Sequence, residues 1–123
     1  MSKKRIQKYI PDAMRVLNKE FSDGIIPSAY NGYISSFGAS IMQSGLLPTL
    51  ALFENTNAKT KESKEYLSYI IIQILTAKDD DISLLHYVLD GNEELLKPKI
   101  LDISIAIKLS IRTFKLDEGK KDE

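Results

Sequence analysis

YISSFGASIMQSGLLPTLALF, residues 33–53, encodes two helices and the break between them. Tyr30, Ile34, Phe37 and Ile41 recur at helical spacing and make one apolar stripe. A helix is therefore expected from Ser28 to Ser44. Gly38 and Ala39 are small, which lets a neighbouring helix approach closely. Gly45 follows as a left-handed C-terminal cap. Leu46 and Leu47 open a third helix, with Pro48 in its first turn, where a proline N–H would have no intrahelical partner anyway. Thr49, Leu50, Leu52 and Phe53 carry that helix on.

Upstream, Ile6, Ile10, Ala13, Met14, Leu17 and Phe21 form the apolar face of a first helix from about Ser2 to Phe21. Arg5, Lys8, Asp12, Arg15 and Lys19 fall together on the opposite side, at about 100° per residue. Pro11 either kinks this helix or marks a second start. The periodicity runs through it, which favours one continuous helix with a local distortion. Ser22-Asp23-Gly24 ends the pattern, and Pro27 delays its resumption.

Downstream, Asn55 to Lys61 reads as a polar loop. YLSYIIIQIL lies in a segment from about Glu62 to Ala77. Its β-branched cluster permits a strand, but length and the KESKE lead-in argue for a helix. Asp79-Asp80-Asp81 separates it from a short helix through Leu84, Leu85, Val88 and Leu89, with Asp81 as N-cap. A last helix is expected from about Asn92 to Leu116. Its stripe is Leu96, Ile100, Ile103, Ile107, Ile111 and Phe114. Lys97, Lys108, Arg112 and Lys115 share another face, interrupted by Leu101. Leu101, Ile105 and Leu109 lie off the main stripe. They mark either a protein interface or a helix buried nearly all round.

The reading is an all-α, single-domain bundle of about six helices over residues 1–116, with a charged C-terminal tail at 117–123. The chain of 123 residues carries 17 basic and 17 acidic side chains, so bulk charge favours no polyanion. The absence of cysteine removes thiolate nucleophiles and disulfides and agrees with a reducing cytoplasm. No apolar run approaches a membrane span, and the basic N-terminus lacks the apolar stretch of a signal peptide.

Catalytic groupings are missing from the pattern. His86 is the single histidine, with no evident nucleophile or orienting carboxylate. A zinc site would need mostly carboxylates, and no glycine-rich phosphate loop occurs. Asp79 to Asp81 lack the spacing of a calcium loop and read as capping aspartates. No enzyme, metal or cofactor is expected.

Charge is nevertheless segregated. Up to Lys19 the only acid is Asp12, against Lys3, Lys4, Arg5, Lys8, Arg15 and Lys19. Such a stripe is ordinarily a solvated face. It can also serve as a phosphate-binding surface that grips a nucleic-acid backbone without reading sequence. Few aromatics flank it, so stacking on single-stranded bases is not indicated.

The stretch from Tyr33 to Phe53, with its aromatic and G-A pair, its G-L cap and its L-P-T-L-A helix start, resembles the small subunit of type III-B (Cmr) CRISPR effector complexes. The basic first helix with its internal I-P, the YL-rich fourth helix and the long final helix agree. The resemblance implies a non-catalytic helical bundle in antiviral defence. Copies of it stack into a minor filament beside the other Cmr subunits, bordering the channel for guide RNA and target RNA. Placed on matching helices, the candidate RNA-binding residues are Arg5, Lys8, Arg15, Lys19, Lys108 and Arg112. The alternative is a helical protein-interaction module, including one like the type III-A small subunit, that binds no nucleic acid itself.

Overall fold

The computed structural model describes residues 3–54, 60–78 and 82–117. Six helices appear where periodicity placed them: α1 (Lys3–Glu20), α2 (Ala29–Ser44), α3 (Leu46–Phe53), α4 (Lys64–Thr76), α5 (Leu84–Asp90) and α6 (Glu93–Ile111). Pro11 lies inside a continuous α1. The YLSYIIIQIL segment is helical.

α4 is the central element, packed against α1, α2, α3, α5 and α6. Leu67, Ser68 and every residue from Ile70 to Ile74 are buried. A β-branched run is a poor helix former by itself, but each fully buried isoleucine contributes about 2 kcal/mol, which outweighs a propensity deficit of a few tenths. α2 buries Tyr30, Ile34, Phe37 and Ile41, the stripe expected of it.

The corner between α2 and α3 is held by polar atoms inside the core. Gly45 N–H donates to Ile41 O at 2.9 Å. Thr49, fully buried, donates its hydroxyl to Gly45 O at 2.9 Å. Ser40 Oγ, 2.7 Å from Thr49 Oγ1, is then the donor of that pair. Gly45 has φ +100° and ψ 166°, an extended glycine-only conformation and not the left-handed helical cap expected. The residue that does adopt the left-handed helical cap is Ala77, at φ 59° and ψ 28°. Gly38 is not a close-approach site either: a Cβ there would meet nothing within 4 Å, and Ala39 is exposed.

α1 and α6 run parallel, with Arg5 against Asp102 near one end and Met14 against Thr113 near the other. Each then turns into a short strand. β1 (Ile25–Pro27) and β2 (Lys115–Asp117) pair in parallel, Ile26 opposite Leu116. Asp23 supports the first turn by accepting from Ile25 N–H at 3.0 Å. The sequence pattern showed no strand here, and α6 stops at Ile111, short of Leu116, because tertiary pairing draws the following residues into the ladder. The expected tail from 118 onward lies outside the described residues. So do Asn55 to Lys59 and Asp79 to Asp81. α5 is capped by Ser83, whose Oγ accepts from His86 N–H at 3.3 Å.

Candidate nucleic-acid interface

α1 buries Ala13, Val16 and Leu17 and leaves its basic side in solvent. The exposed bases are not equivalent. Arg5 Nε lies 3.0 Å from Asp102 Oδ2, with its own side chain 60% exposed and the carboxylate 9% exposed. Lys8 Nζ sits 5.3 Å above the ring of Tyr9. Partial burial, with the charges of Asp102 and Asp12, raises the Tyr9 phenol above its ordinary value. Arg15 pairs one turn back with Asp12 at 3.3 Å, both well exposed.

Lys19 belongs to a network that joins α1 to α4. It donates to Gln73 Oε1 at 2.6 Å and lies 3.8 Å from Glu20 Oε2. Gln73, nearly fully buried, donates in turn to Glu20 Oε2 at 3.0 Å, and Tyr66 donates its hydroxyl to Glu20 Oε1. A buried polar network of this kind is costly unless it is satisfied, so Lys19 serves the fold as well as the surface.

Lys108 on α6 and Arg112 at its C-cap stand exposed one turn apart, and neither has a carboxylate partner among the described residues. Lys115, grouped with them by helical spacing, lies in β2. The outward arc of α6 is apolar as well as basic. Leu101 packs partly against the core, while Ile105 and Leu109 are 40% and 39% exposed. α6 is thus not buried all round. Because α1 packs on α6, the basic side of one adjoins the exposed arc of the other, with Arg5–Asp102 at the seam.

What spacing alone did not show is the acidic punctuation of this surface. By helical spacing Asp102 lies off the Leu96–Phe114 stripe, yet it is buried where Arg5 of α1 meets it. A cleft of about 360 Å³ opens near Glu54, Glu65, Ser68 and Ser83. Its Glu54 carboxylate is engaged, accepting from Ser83 Oγ at 2.5 Å and Leu85 N–H at 3.1 Å. His86 is exposed on α5. Among the described residues no helix is long and apolar enough to cross a membrane.

Comparison with known proteins gives one family. The model of the CRISPR-associated protein family Cas_Cmr5 matches residues 3–102, from the first turn of α1 to the middle of α6. No curated protein and no solved structure matches the chain. The match covers well over half of the sequence, and the chain belongs to this family, that of the Cmr small subunit.

Proposed function

We propose that the chain works as the non-catalytic small subunit of a Cmr RNA-guided effector complex in cytoplasmic antiviral defence. In this reading it stacks with copies of itself beside the other Cmr subunits. Its exposed bases lie along the sugar–phosphate backbone of guide or target RNA. The observation that carries the reading is the family match over residues 3–102, which contains the whole basic side of α1. Lys8 and Arg15 are the foremost RNA contacts, with Arg5 and Lys19 sharing their charge with the fold, and Lys108 and Arg112 extending the surface onto α6. Contacts of this type follow phosphate spacing and carry little sequence preference.

The test is affinity purification of the tagged chain from its own host, with protein and RNA both identified. Recovery of Cmr subunits with short repeat-derived guide RNA is the expected result. Recovery of other proteins without RNA, insensitive to nuclease and moderate salt, overturns it in favour of a helical protein-interaction module.

A further inference from the structure

The cleft of about 360 Å³ lies where the end of α3, the first turns of α4 and the start of α5 meet. No residue of α1 or α6 lines it. Its volume falls in the range of small-ligand sites, and Tyr66, Tyr69, Ile82 and Leu84 give it apolar walls. The rings of Tyr66 and Tyr69 stand 5.2 Å apart, tilted by 55°, and form an aromatic corner. Among the described residues, every charged side chain in the lining is acidic: Glu54 and Glu65, with no lysine, arginine or histidine. Lys64, at the first position of α4, is held over the ring of Phe53, 5.7 Å from its centroid, and is not a lining residue.

Two further observations point to a ligand that brings N–H donors and a positive charge. Glu54 accepts from Ser83 Oγ at 2.5 Å and from Leu85 N–H at 3.1 Å. Both donors are neutral, and among the described residues no lysine or arginine comes within ion-pair distance of Glu54. A carboxylate has about four acceptor positions, so Glu54 keeps room for a charged donor. Ser68 also lines the cleft and is 2% exposed, and its hydroxyl has no hydrogen-bond partner among the described residues. A buried hydroxyl left unpaired carries a free-energy cost that a ligand N–H relieves.

We propose that this cleft binds an aliphatic amine in its ammonium form. The ammonium lies against the rings of Tyr66 and Tyr69, whose quadrupoles attract a cation, and donates to Glu54 and Ser68. The methylene stem packs on Ile82 and Leu84. A quaternary ammonium has no N–H and leaves Ser68 unpaired, and an anion meets like charge at Glu54 and Glu65. The same chemistry belongs to a lysine side chain of a partner protein and to a free polyamine. The site uses no residue of the basic surface on α1, so it stands or falls apart from RNA binding.

The test is a nitrogen–proton correlation NMR titration of the full chain, freed of nucleic acid, with two probes: spermidine, and lysine capped as its Nα-acetyl N-methylamide. Saturable shifts of the Ser68, Tyr69 and Leu84 amides are expected, with a Kd of about 0.1–5 mM. Saturation by spermidine alone identifies a free polyamine as the source, and saturation by capped lysine identifies a lysine side chain. Glu54→Gln keeps an acceptor for Ser83 and Leu85 but removes the charge, and is expected to bind about tenfold more weakly. Ser68→Ala is expected to weaken binding several-fold while its thermal melt stays unchanged or rises, because an unpaired hydroxyl is removed. A merely structural serine would not give that split. The proposal is overturned if neither probe gives a saturable shift at these amides up to about 20 mM, or if both variants bind like wild type. Equal binding of the neutral, Nε-acetylated form of the capped lysine overturns it as well.

Discussion

The Nε of Arg5 lies 3.0 Å from the Oδ2 of Asp102, joining the first helix to the last across 97 residues. By periodicity alone Arg5 is one more solvated base. In the fold it is the partner of a carboxylate that α6 turns inward, where Asp102 is 6% exposed.

Replacing Arg5 therefore has a structural cost. Arg5→Ala is expected to destabilise the chain by about 1–2 kcal/mol, a moderate figure because the guanidinium itself is solvent-screened. The same change in an Asp102→Asn background should cost less than about 0.5 kcal/mol, since no buried charge is then left unpaired. Urea denaturation of the four proteins of this cycle measures the difference. Equal costs in both backgrounds would show that the pair contributes nothing.

Lys19 and Arg15 should separate in the same way. Lys19→Glu places a carboxylate beside Glu20 and breaks the bond to buried Gln73, and a loss of about 1–3 kcal/mol is expected. Arg15→Glu exchanges an exposed pair for an exposed repulsion with Asp12 and should stay within about 1 kcal/mol. Thermal melts of the two variants side by side decide the point.

Two glycines should respond with opposite signs. Gly38→Ala removes a flexible residue from the interior of α2 where the added methyl meets open space, and should stabilise by about 0.5–1 kcal/mol. Gly45→Ala meets only ordinary contact with Pro48 but must hold φ +100°, and should destabilise by about 1–3 kcal/mol. Denaturant midpoints report both.

Tyr30 predicts an alkaline limit. Its ring is fully buried against Phe21 and Tyr33, and its hydroxyl has no hydrogen-bond partner among the described residues. Burial first, and the neighbouring Tyr66, Tyr33, Glu62 and Glu20 after it, push the phenol far above its ordinary value. The unfolded phenol ionises near pH 10, so this contribution to stability is complete below about pH 10 and falls as pH rises above it. Tyr30→Phe should flatten that fall. At neutral pH it should leave stability unchanged or raise it by up to about 1 kcal/mol, because a buried unpartnered hydroxyl is removed. Melts from pH 7 to about pH 11 test both parts.

On RNA, Lys8→Glu/Arg15→Glu should weaken binding of the assembled complex about equally across sequences. It should also lower the slope of log affinity against log salt by about two. Filter binding at several salt concentrations gives both readings. An unchanged slope would place the RNA surface elsewhere.

Much of this molecule could be read from order and spacing alone. The stripe of Tyr30, Ile34, Phe37 and Ile41, the Gly45 break and the six helices follow from local rules, because an amphipathic helix writes its buried face into residues three and four apart. The basic side of α1 was legible for the same reason. The tertiary structure alone decided what depends on residues far apart in the chain: the pairing of β1 with β2, the capture of Arg5 by Asp102, and the tie of Lys19 to Gln73. It alone left Ile105 and Leu109 at the surface while burying nearly every side of α4. Periodicity says which residues share a face, but how many neighbours cover that face is set by the packing of the whole chain, and no local pattern encodes it.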